Sequence, residues 1–191
     1  GLLRRVVEES DAPVFAHPRC LSWLRDAPHE WEHRAGFFYR LWVQSGVPEE
    51  RLSRMRFGLA VGAQYAEALL PDMTVYEIDE GAHLTLGSAQ WHVLYTPGHS
   101  TSHIALYEPQ SQQMLSGDHL LLRISSNPLL EPPEPGETRR RSLVEYMASL
   151  QRVAAMDISV AWTGHGPPVY GHHALIARRM ANTDARKEKI A

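Results

Sequence analysis

Residues 96–103 read Thr96-Pro97-Gly98-His99-Ser100-Thr101-Ser102-His103, and this octapeptide decides the fold. It closes a partly β-branched stretch, residues 90–96, that has strand character. Proline beside glycine marks a turn, and glycine lets the backbone bend sharply and pass close to a neighbour. His99 is therefore offered from the end of a strand, where ligand sites tend to form. The same arrangement recurs twice, in Leu115-Ser116-Gly117-Asp118-His119 and in Thr163-Gly164-His165-Gly166-Pro167. Each time a short apolar run ends in glycine, and a histidine or aspartate follows. One histidine after a glycine is ordinarily a turn residue. Three such turns carrying imidazole or carboxylate point to a metal site, because these groups are the natural ligands of zinc and its neighbours.

Outward from these turns, the second half of the chain alternates strands and helices. Strands are expected at 73–79, 90–96, 103–107, 114–116 and 158–162. A proline-rich loop spans 126–136, and Leu143, Met147, Leu150 and Val153 mark a helix. The first half is mainly helical. Leu2, Leu3, Val6 and Val7 lie at helical spacing before Ser10-Asp11-Ala12-Pro13, and residues 13–16 form a short strand. Trp31, Ala35, Phe38 and Trp42 mark a second helix. A third opens with Pro48-Glu49-Glu50, proline and acids being favoured in a first turn, and carries Leu52, Met55, Leu59 and Tyr65 up to Pro71. A last helix runs from His173 through Arg186 to Ala191. The pattern is that of an α/β layer fold.

Composition narrows the function classes. The 191 residues include 43% hydrophobic and 21% charged side chains, enough for a real core and too apolar for wholesale disorder. A net charge of −3 gives no global pull toward nucleic acid or anionic membrane. One cysteine, Cys20, excludes an internal disulfide framework. No apolar run is long enough to span a bilayer, and the arginines at 4 and 5 are not followed by the apolar stretch of a signal peptide, so a cytoplasmic location is expected.

The blocks 96–103, Ser116-Gly117-Asp118 and Gly164-His165-Gly166, in this order, resemble the later motifs of the metallo-β-lactamase-fold hydrolases, a superfamily of glyoxalase II-type thioesterases, lactonases, lactamases and some nucleases. The resemblance spans about residues 14–169. Arg123-Ile124-Ser125-Ser126-Asn127-Pro128 further resembles a glyoxalase II-like branch with an extra C-terminal helical region. The fold implied is a four-layer αββα sandwich over residues 1–170, with a helical insertion at about 28–70 and the start of a C-terminal helical extension at 171–191. Two metal ions are implied, usually zinc, with iron or manganese as alternatives. His99 would bind the first and His165 the second, and Asp118 would bridge them as the catalytic carboxylate. A hydroxide held between the ions would attack the carbonyl of a small ester or thioester. An RNA phosphodiesterase on the same fold is the rival enzyme class, and a metal-free binding or scaffold relative is the non-enzymatic one. Neither a nucleic-acid nor a membrane partner is expected, and homo-oligomerisation is left open.

The family's first motif, His-x-His-x-Asp-His, is absent from the 191 residues. In the family it ends just before a glycine and an apolar helix, and this chain opens Gly1-Leu2-Leu3. The expectation is that the N-terminal strands and that motif have been cut away. Three ligands divided between two metal positions complete neither, so weak metal binding, or none, is expected of these residues alone.

Other residues have plainer readings. His103 and His119 are expected to pack and hydrogen-bond beneath the site, and His172-His173 to open the last helix at the surface. His29-Glu30-Trp31-Glu32-His33 matches the helical zinc motif His-Glu-x-x-His but has no third ligand downstream. Trp31, Phe37, Phe38, Tyr39 and Trp42 form a packing cluster, with a wall for an acyl chain as the sharper alternative. Arg139-Arg140-Arg141 reads as a solvated face, and Cys20 as a small buried residue.

Overall fold

The computed structural model describes residues 2–64 and 73–189. The chain divides into two compact units, Gly1–Glu77 with Glu131–Arg140, and Ile78–Leu130 with Arg141–Ala191.

The first unit holds α1 (Leu2–Ser10), β1 (Val14–Ala16), a 3-10 turn (Pro18–Cys20), α2 (Leu21–Arg25), α3 (Ala27–Gln44), α4 (Glu49–Gln64) and β2 (Val75–Glu77). β1 and β2 pair in parallel, Val14 opposite Val75. Val7, Ala16 and Leu24 form its buried cluster, and half-buried Cys20 packs against them. At the start of α3 the Asp26 carboxylate accepts from the His29 backbone N–H at 3.2 Å, with Pro28 in the first turn. The aromatic cluster is half-buried: Phe38 stacks on Trp42 at 5.8 Å, and the Trp31 indole donates to the Leu59 carbonyl at 2.7 Å, tying α3 to α4. The expected end of α4 near Tyr65 and Pro71 lies outside the described residues. α2 was not foreseen, because five residues are too few to show a period.

The second unit contains β3 (His83–Leu86), β4 (Ala89–Tyr95), β5 (Ile104–Glu108), β6 (Gln113–Gly117), α5 (Ser142–Ala154), β7 (Val160–Thr163) and α6 (His172–Glu188). Its five strands lie in the order β3-β4-β5-β6-β7. β3, β4, β5 and β6 run antiparallel in turn, and β7 runs parallel to β6 after the crossover through α5. Strand direction has a consequence for the site. β4, β6 and β7 point the same way, so the residues that follow them emerge at one edge of the sheet.

Helix α5 buries Tyr146, Ser149, Leu150 and Val153, a stripe at helical spacing. Tyr146, Leu150 and Val153 pack with Met114, Leu120, Ala161, Leu175 and Ile176 in one cluster. α6 thus belongs to the core of the second unit, and the break expected between 170 and 171 falls inside that unit. β3, unforeseen, is the hairpin partner of β4 across Gly87 and Ser88.

One surface assignment is corrected. His172 is 2% exposed; its Nε2 lies 3.0 Å from the Met156 carbonyl, and it shares the buried face of α6 with Leu175 and Ile176. His173 is the exposed member of the pair. Burial, reinforced by His173, lowers the pKa of His172 below the usual histidine value. The unfolded chain therefore takes up a proton near pH 6.5 that the folded chain resists. Stability should fall as pH drops below 6.5, at no more than about 1.4 kcal/mol per pH unit from this residue. Urea unfolding at pH 7 and pH 5.5 should show a smaller difference in His172→Gln than in the parent chain.

Candidate metal centre

Three turns at one sheet edge carry the site. β4 ends at Tyr95 and the chain turns through Pro97 and Gly98 to His99. β6 ends at Gly117, followed by Asp118, and β7 ends at Thr163, followed by Gly164 and His165. Gly117 and Thr163 are register partners, and the Gly164 N–H donates to the Gly117 carbonyl at 2.8 Å, so the last two turns lie side by side.

The three side chains converge. His99 Nε2 lies 3.4 Å from Asp118 Oδ2, and His165 Nε2 lies 3.5 Å from Asp118 Oδ1. Each imidazole faces a different oxygen of one carboxylate. Both distances are long for charge-assisted hydrogen bonds. His99 and Asp118 are 28% and 24% exposed and His165 is 68% exposed, which leaves the site open on the His165 side.

Two glycines make room for this arrangement. A Cβ on Gly164 would sit 2.5 Å from Asp118 Oδ1, so any side chain there would occupy the space of the carboxylate. Gly98 has φ of +133° and packs against α5, where an added Cβ would lie 2.4 Å from the Tyr146 Cβ and 2.6 Å from its Cα. Glycine alone satisfies both demands.

His103 fixes the backbone under Asp118. The Asp118 N–H donates to His103 Nε2 at 3.2 Å, so that nitrogen is unprotonated. The ring proton then sits on Nδ1 and is donated to Thr96 Oγ1 at 2.8 Å. Burial lowers the His103 pKa to about 4, with the neighbouring His99 adding to the effect and Asp118 opposing it, so the ring stays neutral in this role. In a protein with the complete ligand set, replacing His103 with Leu should loosen the Asp118 turn and weaken zinc affinity about 10- to 100-fold. His103→Asn or His103→Gln should restore part of it, and calorimetric zinc titration of the parent and the three variants checks this.

Behind the site His119 is fully buried against Tyr146, ring centroids 5.5 Å apart, and burial lowers its pKa to about 3. Tyr146 donates to the His119 carbonyl at 3.2 Å, and Arg179 donates to the Tyr146 hydroxyl at 2.8 Å. Thr96, Tyr146 and Arg179 were not singled out from the sequence. Thr96 lay within the quoted octapeptide; the other two had no signal beyond helical spacing.

The donor set suits a cation. Asp118 Oδ1 is buried without a hydrogen-bond partner among the described residues, and a buried polar atom without a partner is costly unless something else satisfies it. A carboxylate with an imidazole facing each of its two oxygens offers a place for a metal ion beside each. Among the described residues, no three His, Cys, Asp or Glu side chains close on a single ion. The geometry agrees: Asp118 divides the two histidines between two positions. His29 and His33 are exposed on α3 in the first unit, with no third ligand among the described residues.

Comparison with known proteins gives a consistent picture. The profile of the Metallo-beta-lactamase superfamily matches residues 1–165. A probable metallo-hydrolase of Bacillus subtilis, YqjP, is 36% identical over 161 residues, which is 84% of this chain and 48% of that protein. The hydroxyacylglutathione hydrolase of Legionella pneumophila is 40% identical over 45 residues, 24% of this chain and 18% of that enzyme. A solved metallo-beta-lactamase family protein from Thermus thermophilus superposes with a TM-score of 0.71 at 27% identity, covering 93% of this chain and 55% of its own. The chain thus spans about half, or less, of the length of these relatives.

Proposed function

The chain belongs to the metallo-beta-lactamase superfamily, and from that premise we propose that it supplies half of a two-metal site in a hydrolase of small esters or thioesters, of the glyoxalase II type. The metal-hydrolase class is that of the probable metallo-hydrolase it resembles, and the thioester class has the support of the hydroxyacylglutathione hydrolase segment. One observation carries the reading: the Asp118 carboxylate, with an imidazole Nε2 against each oxygen at 3.4 and 3.5 Å.

In this reading His99 and Asp118 would hold one ion, and His165 and Asp118 would hold the other. Zinc suits the imidazole and carboxylate donors, and iron or manganese is compatible with them. When bound, such ions polarise a carbonyl oxygen and acidify water. The protein's own contribution is positional. His103 and Thr96 hold the Asp118 backbone, Gly164 keeps the carboxylate's space clear, and the exposed His165 side gives a small substrate access. His99, Asp118 and His165 give three of the ligands that two ions require. The remainder belong to the motif His-x-His-x-Asp-His, absent from these residues. No helix among the described residues is long and apolar enough to cross a membrane, and the cytoplasm is the compartment proposed.

The test is hydrolysis of S-D-lactoylglutathione and of a short aryl ester by a protein that joins this chain to the missing motif. Activity that chelator removes and zinc restores is expected. Hydrolysis unaffected by chelator, or none at all with zinc bound in full, would refute the reading.

A further inference from the structure

The second unit has a cavity of about 560 Å³ between the loop that follows Asp118 and helix α6. Arg123 enters from the loop, and Arg178, Asn182 and Arg186 line it from successive turns of α6. Among the described residues, no acidic side chain lines it. Among the described residues, the guanidinium groups of Arg123, Arg178 and Arg186 make no ion pair or hydrogen bond, and all three side chains are exposed. Arg179 differs. Its donors go to the Tyr146 hydroxyl and to the Leu121 and Ile124 carbonyls, so it pins the loop wall in place.

Three unpaired arginines around one cavity are unexpected in a chain of net charge −3. Arginine presents a planar fork of donors that matches phosphate oxygens two at a time. Arg178 and Arg186 both line the cavity from α6, two turns and about 12 Å apart along its axis. A volume of this size admits a ligand larger than an inorganic ion. Leu122 and Ile124, 37% and 57% exposed at the rim, offer an apolar surface to the rest of such a molecule.

We propose that this cavity is a binding site for a small phosphorylated ligand of the nucleoside diphosphate kind, with Arg123, Arg178 and Arg186 on its phosphates. The site is separate from the donor set of His99, Asp118 and His165 and does not depend on hydrolysis.

The experiment is calorimetric titration of the full chain with ADP and with pyrophosphate, in chelator so that metal-held phosphate does not contribute. One ADP per chain is expected, displaced by pyrophosphate, with binding weakened by raised salt. Affinity should fall about tenfold or more in the double variant Arg178→Gln/Arg186→Gln, and less in Arg178→Lys/Arg186→Lys, which keeps charge and loses the fork. Both positions are on the surface of α6, and unchanged helical circular dichroism verifies that the variants fold. Absence of saturable binding, or equal affinity in the parent and the Gln variant, overturns the proposal. So does tighter binding of single-stranded RNA with affinity that rises with its length, which would make this face a nucleic-acid surface.

Discussion

Replacing Asp118 with Asn is expected to abolish zinc uptake at the site and to lower hydrolysis in a protein with the complete ligand set by about a thousandfold or more. Removing an outer partner of a metal ligand typically costs 10- to 100-fold, and Asp118 faces both histidines itself. An amide has neither the charge nor the second acceptor oxygen that a bridge between two cations needs. The same change should leave the metal-free fold intact. Asp118 Oδ1 has no hydrogen-bond partner, so no strong internal bond is lost. Thermal unfolding in chelator should therefore place Asp118→Asn within a few degrees of the parent chain. A residue kept for structure would give the reverse, an unstable variant with unaltered metal affinity.

Gly98→Ala should be far more damaging to the fold. The added Cβ would lie 2.4 Å from the Tyr146 Cβ and 2.6 Å from its Cα, and helix backbone cannot yield as a flexible side-chain end can. A φ of +133° adds a conformation that alanine avoids. Together these should cost about 3–5 kcal/mol, a large part of the stability of an ordinary domain. The melting temperature should fall by roughly 10 °C. Gly81 separates the two causes, because it has φ of +80° and no atom within 4 Å of an added Cβ. Gly81→Ala should cost about 1 kcal/mol. Equal losses at the two positions would show that the approach of residue 98 to α5 is not the source of the effect.

The three side chains of the candidate site were legible because turn chemistry is local. Pro97-Gly98-His99 announces a strand end and a projecting imidazole within three residues, and Gly117-Asp118 and Gly164-His165 repeat the pattern with a carboxylate and an imidazole. What united the three was strand direction: β4, β6 and β7 point the same way only once β5 has been inserted antiparallel and α5 has crossed over. Spacing along the chain does not contain that. The reasons for the glycines were partly visible. A sharp turn could be read at Gly98, but its contact with Tyr146 and that of Gly164 with the Asp118 carboxylate are tertiary. β3 was missed because four residues, His83–Leu86, show little alternation until paired with β4. His172 was misplaced for a related reason. A histidine pair at a helix start has the look of surface, and only packing of α6 decides which of the two turns inward. The arginines around the 560 Å³ cavity are scattered between a loop and a helix, and nothing local links Arg123 to Arg178 and Arg186.

Whether His99, Asp118 and His165 act as one ligand set is tested most directly by anomalous scattering from a zinc-soaked crystal of this chain. The prediction is a zinc peak about 2.0–2.2 Å from an Asp118 oxygen and from the Nε2 of His99 or His165, with partial occupancy because the ligand set is incomplete. Zinc absent from all three side chains while bound elsewhere, for instance at His29 and His33, would contradict it.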